Sequence, residues 1–204
     1  IKQSLLLQGA QAKTQIKVPA GVGLLATVSA FKDNQLVMQG SDSTFVEKGK
    51  TTALSIHMSF VVPTLILSKP NSSVTHGDTL SLYLAARNVS NLATIGAQVQ
   101  FDPNKLKVAE LGRQDSLLMS NGGTVNQLLF TNDNTRGTLD MVFGVFPSTA
   151  AVSGQGNIGR IVFTAIDTGI TDLAIRIDND SDSNYALFDQ NAVLMYAMGI
   201  GARV

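Results

Sequence analysis

"TIGAQVQFDPNKLKV", Thr94 to Val108, is the stretch that decides the fold. Ile95, Ala97, Val99 and Phe101 recur at every second position, with Thr94, Gly96, Gln98 and Gln100 between them. Successive side chains of a strand point to opposite faces, so the pattern predicts one apolar face turned into a core and one polar face turned out. Asp102-Pro103 interrupts the alternation at a turn, and Leu106 and Val108 resume it. The stretch holds no evident catalytic residue. Its outward set is small, polar and uncharged, where a free-standing surface ordinarily carries Lys and Glu. The outer face therefore reads as a surface for a partner.

The same alternation extends in both directions. Expected strands lie at 4–8, 12–18, 23–31, 35–39, 43–47, 51–62, 64–68, 79–87, 93–101, 105–111, 127–131, 138–146, 157–166, 172–178, 185–188 and 192–197. Helical periodicity is almost absent, and the breaks fall at Gly, Asn, Asp, Ser and Pro. Lys32-Asp33-Asn34 reads as a hairpin turn, and Asn121-Gly122-Gly123 and Asn132-Asp133-Asn134 read as loops. Short strands at this spacing predict an all-β sandwich. A boundary is expected at Val62-Pro63, giving a small N-terminal β piece over 1–62 and a larger domain over 63–204.

In the strand from Leu139 to Phe146, Leu139, Met141, Phe143 and Val145 form one face. Asp140, Val142, Gly144 and Phe146 form the other, and Asp140 marks it as the outward one. Val142 and Phe146 are then exposed apolar groups, the mark of an interface unless another segment covers them.

Composition removes several function classes. Fifteen basic and fifteen acidic residues in 204 leave no net field to attract nucleic acid. There is no Cys, so disulfides and thiolate metal sites are excluded. No apolar run reaches the ~18 residues a spanning helix needs. The chain begins at Ile1 rather than Met, which reads as a processed or excised segment. The sequons Asn71-Ser72-Ser73 and Asn88-Val89-Ser90 read as chance matches. His57 and His76 are the only histidines and fall on either side of the expected boundary, and no Gly-x-Ser-x-Gly elbow occurs. Gly154-Gln155-Gly156-Asn157-Ile158-Gly159 matches a dinucleotide fingerprint in letters only, because it opens a strand and not a helix. No enzyme is expected.

"DNDSDSNYALFD", Asp178 to Asp189, places Asp178, Asp180, Asp182, Asn184 and Asp189 at positions 1, 3, 5, 7 and 12. Hard oxygen ligands at these intervals are what a calcium loop presents. Ser183 stands where such loops place Gly, and the flanks read as strands. A Ca²⁺ site and a solvated acidic turn both remain open.

From Pro63 onward, Gly77-Asp78-Thr79 opens an alternating strand, Asn88-Val89-Ser90-Asn91-Leu92 follows as a loop, and Phe101-Asp102-Pro103 closes the next strand with Leu106 after it. "GQGNIGRIVFTAIDTGITDLAI" then supplies Gly-x-Gly, an apolar strand with Phe163, and Gly169 before a last apolar strand. This order, over about Pro63 to Ala197, resembles the cohesin domain. The resemblance implies a jelly-roll β-sandwich and a non-catalytic role: holding a calcium-bearing dockerin-like module, or serving as a scaffolding module of an extracellular or cell-surface protein. It also implies that Thr94, Gly96, Gln98 and Gln100, with Asp140, Val142, Gly144 and Phe146, lie on the partner-binding sheet face. On that reading Gly96→Arg blocks a partner and leaves stability intact. No run of such modules and no Thr-Pro-rich linker occurs, which implies an isolated module of a larger surface protein. Ile16 to Met58 resembles part of an Ig-like or prealbumin-like domain. Carbohydrate binding is the alternative on the same architecture, but the chain has no Trp and only three Tyr (Tyr83, Tyr185 and Tyr196). A structural spacer in a surface adhesin or filament is the other alternative.

Overall fold

The computed structural model describes residues 13–68, 74–113 and 117–204. The expected strand at 4–8 and the sequon at Asn71 lie outside them. Two compact units divide the chain, Ile1–Ser59 and Phe60–Val204, against the expected break at Val62-Pro63.

In the first unit, β1 (Gly23–Lys32) and β2 (Gln35–Phe45) form an antiparallel hairpin; β3 (Ser59–Phe60), at the division between the units, ends the sheet order β1-β2-β3. Asp33 and Asn34 both take positive φ, 51° and 63°, as the tight hairpin turn requires. The register shifts by one residue opposite Ala30/Phe31, leaving Val37 as the extra residue on β2. Val37 is the one buried hydrophobic residue of this unit among those described. Two expectations are corrected here. Residues 13–19 form no strand, and of 51–62 only Ser59–Phe60 is a strand, although Leu54, Ile56 and Met58 keep a half-buried alternation.

The second unit contains β4 (Thr64–Ser68), β5 (Thr79–Gln100), β6 (Leu106–Arg113), β7 (Thr124–Asp133), β8 (Thr138–Phe146), β9 (Val152–Ala165) and β10 (Asp172–Arg176). Short strands close it: β11 (Leu187–Asp189), β12 (Leu194–Met195), β13 (Met198–Ile200) and β14 (Ala202–Arg203). β5 is a single 22-residue strand and not the two expected strands with a loop at 88–92. Asn88 and Asn91 take positive φ, 54° and 53°, and the pairing with β9 shifts on either side of Val89. These bulges turn the strand without ending it.

The first half of β5 pairs with β9 and β4, β9 pairs onward with β6, and β4 with β13. The second half pairs with β8 on one edge and with β10 and β11 on the other, and β8 pairs onward with β7. Leu80, Leu82, Leu84 and Ala86 from the first half and Ile95, Ala97, Val99 and Phe101 from the second are buried in one core. Leu139, Met141, Phe143 and Val145 of β8 join them, and Phe101 meets Phe163 of β9 edge-on at 5.2 Å. The two sheets thus form a jelly-roll sandwich around the apolar phase that the alternation predicts.

The Asp-Pro turn after β5 is held by its own polar groups. Asp102 accepts hydrogen bonds on its side chain from the Asn104 N–H (2.9 Å) and on its carbonyl from Lys105 and Leu106. The Phe101 N–H donates to the Gly137 carbonyl at 2.9 Å. Gly137 has φ +71°, and a Cβ there would lie 2.0 Å from the Phe101 carbonyl oxygen, so glycine is required.

Candidate functional site

The outer face of the β7–β8–β5–β10 sheet holds every residue expected at a partner surface. Opposed residues put Gly144 beside Thr94, Val142 beside Gly96 and Asp140 beside Gln98, so the expected set forms one contiguous field. Phe146 is 59% exposed, Gln100 is exposed, and Thr94, Asp140 and Val142 are half-buried.

Gly96, Gln98 and Gly144 are not open, which corrects the expectation. The cause is the segment 177–186. β10 and β11 run along the same edge of β5, Arg176 opposite Gln98 and Leu187 opposite Ile95. The chain between them is extruded and folds back over the outer face. The Gly96 N–H donates to the Ala186 carbonyl at 2.8 Å, and a Cβ on Gly96 would lie 1.8 Å from the Asn184 carbonyl oxygen. Gly144 is covered from the other side, where its Cβ would meet Leu128 at 3.2 Å.

Tyr185 fastens the segment down. Its hydroxyl donates to Asp140 Oδ1 at 2.9 Å, and Gln98 Nε2 donates to the same oxygen at 2.8 Å. Gln100 Nε2 donates to Gln98 Oε1 at 2.8 Å. The Arg176 guanidinium lies 4.8 Å from the Tyr185 ring centroid. Burial, and then the hydrogen bond to Asp140, push the Tyr185 hydroxyl above its ordinary pKa.

Of the five candidate calcium ligands, Asp178, Asp180 and Asp189 accept hydrogen bonds on their side chains. Asp178 receives a forked pair of hydrogen bonds from Arg176, at 3.0 and 2.8 Å, and a third from Ser183 Oγ at 2.8 Å. The Arg176 pairing, followed by the Ser183 bond, holds the Asp178 carboxyl below the usual carboxylate range. Asp180 accepts from the Asp182 N–H, and Asp189 from the N–H groups of Asn191 and Val193. Asn184 contributes the carbonyl that crosses Gly96. Among the described residues no three acidic or histidine side chains gather at one point.

Beyond the cover, the β7–β8 half of the face stays open. A shallow depression of ≈ 350 Å³ is lined by Thr94, Leu128, Gly144, Phe146, Phe188 and Ala192 among others. Leu128 is 59% exposed. Sequence reasoning missed it, although Leu128-Leu129-Phe130 cannot all alternate. The pairing shifts between Gln127 and Leu129, and this bulge turns Leu128 outward.

A strand shared between two sheets, with the Asp-Pro turn at its end and this face outside, leads to one family. The cohesin-domain family model matches residues 64–190. This chain belongs to the cohesin family. Among solved structures it is similar to the second type II cohesin module of the adaptor ScaA scaffoldin of Acetivibrio cellulolyticus, at 11% identity and a TM-score of 0.56, covering 70% of this chain and 89% of that one. It is similar to the Coh-OlpA–Doc918 complex, a type I cohesin–dockerin complex of Clostridium thermocellum, at 16% identity and a TM-score of 0.54, covering 70% and 97%. It is also similar to the non-cellulosomal cohesin of the archaeon Archaeoglobus fulgidus, at 13% identity and a TM-score of 0.51, covering 70% and 88%. At these identities the likeness is one of fold. No curated protein matches the chain by sequence. The N-terminal unit lies outside the family match.

Proposed function

We propose that this cohesin domain is a non-catalytic module of an extracellular or cell-surface protein that docks a dockerin-like partner on the outer face of β7, β8 and β5. The observation that carries the reading is the open half of that face. Phe146 and Leu128 stand exposed at the rim of a depression whose one charged lining residue is Asp189, with half-buried Val142 on the same sheet face. Exposed apolar side chains grouped on one sheet face fit an anchor for a partner, with Thr94 and Asn126 as polar groups beside it. Solved relatives of the same fold are cohesins held in complexes with dockerins. Calcium enters this reading with the partner. Carbohydrate binding has less to rest on, since the Tyr185 ring is stacked with Arg176 and tied to Asp140.

The test is calorimetric titration of the 204-residue chain with calcium-loaded type I and type II dockerins, repeated in chelator. Calcium-dependent saturable binding supports the reading. Absence of heat with every dockerin, from a chain with a cooperative melt, favours a structural spacer.

A further inference from the structure

Among the described residues, no strand pairs with the edge of β1 away from β2, and β1 is the outermost strand of the β1-β2-β3 sheet. From Gly23 to Phe31 it reads GLLATVSAF, with no charge and no proline. Edge strands are ordinarily blunted by Lys, Pro or a bulge, because a row of unpaired N–H and C=O groups recruits another strand. The bulge of this hairpin sits on β2, at Val37, so β1 itself stays regular. Val37 is also the only buried hydrophobic residue described in this unit. A two- or three-stranded sheet with so small a core is marginal on its own and gains most from extension.

The sequence of β1 also matches itself. We propose that two copies of this chain pair antiparallel through the free edges of β1, about a two-fold axis at Thr27. An axis normal to the sheet keeps each side chain on its own face, so the register must centre on a residue. With Thr27 at the centre, Leu24 faces Ala30, Ala26 faces Val28, Leu25 faces Ser29 and Phe31 faces Gly23. Large groups meet small ones at almost every step, and an aromatic ring covers the bare backbone of the glycine. Lys32 falls beyond the overlap, and the two copies of it stand at opposite ends of the pairing. Centring on Val28 instead would set Lys32 against Leu24. The pairing turns two three-stranded sheets into one continuous sheet.

The chain has no cysteine, so Thr27→Cys introduces a lone thiol. Opposed Cβ atoms in an antiparallel pair lie about 4.5–5.5 Å apart, close enough for a disulfide after a small adjustment. The unmodified chain at tens of micromolar is expected to show about twice its 21.6 kDa mass by light scattering. Thr27→Cys should oxidise to a covalent dimer, Ser29→Cys should stay reduced, and Thr27→Lys should halve the mass without changing the circular dichroism. A monomeric unmodified chain overturns the proposal, whatever segment covers the edge. So does equal cross-linking at Ser29 and Thr27, which would mean collision without register. If Thr27→Cys fails to fold, the mass of the unmodified chain and the Ser29→Cys result still decide it.

Discussion

The carbonyl of Asn184 lies across Gly96, where a single added carbon would sit 1.8 Å from its oxygen. A glycine inside a central strand here marks a place where another stretch of backbone comes down onto the sheet. Gly96→Ala should therefore lift the segment 177–186 and overpack the face, at about 1–3 kcal/mol. For a chain of this length that corresponds to a melting temperature lower by roughly 3–10 °C, read by thermal circular dichroism. An unchanged melt would mean that the cover yields freely.

Phe146 and Leu128 are each 59% exposed and support little of the core. The double change Phe146→Asp with Leu128→Asp should leave melting within about 2 °C, as surface substitutions do. It should weaken dockerin binding by about 30-fold or more if the pair forms the anchor. Equal affinity of the variant and the parent chain would move the docking surface elsewhere.

Tyr185 and Asp178 give the cover a pH range. The folded-state pKa of Tyr185 is raised, so its contribution is complete below about pH 10 and is lost as pH rises through the folded value. That of Asp178 is lowered, so its contribution is present above its ordinary value of 3.8 and is lost as pH falls through the folded value. Hydrogen exchange across 177–186 should be slowest between these limits and quicken at both ends. Tyr185→Phe removes the bond to Asp140 and should cost roughly 0.5–1.5 kcal/mol while flattening the alkaline limb. Retention of that limb in the variant would assign it to another group.

The carboxylates of Asp178, Asp180 and Asp189 are engaged with Arg176, Ser183 and backbone amides. Chelator should then leave the melting temperature of the isolated chain where it is. A rise of several degrees on adding millimolar Ca²⁺ would show that the carboxylates can leave these partners and close on an ion.

Strand phase was legible in the sequence because it depends only on neighbours two residues away. Leu139, Met141, Phe143 and Val145 are buried as the alternation requires, and β8 spans the expected 138–146. The turn at Asp33-Asn34 was equally local. What lay on the outer face was not legible in the same way. Gln98 is polar and falls on the outward phase, yet it is covered because Tyr185, far along the chain, reaches over to Asp140. Gly96 carried the signal, since a bare glycine amid Ile95, Ala97 and Val99 marks a close approach. Asn88 to Leu92 misled for the opposite reason. Asn and Ser favour turns, and here two Asn residues take the positive φ of a turn inside a strand that continues.

β5 carries hydrogen-bond ladders of both sheets on one uninterrupted backbone. Neither sheet can be peeled away while the other keeps its full complement of bonds, because the strand they share would have to bend or leave. Tension along the chain would accordingly be borne by both layers together. The domain should yield in one step at a high force, and not by the successive release of separate sheets.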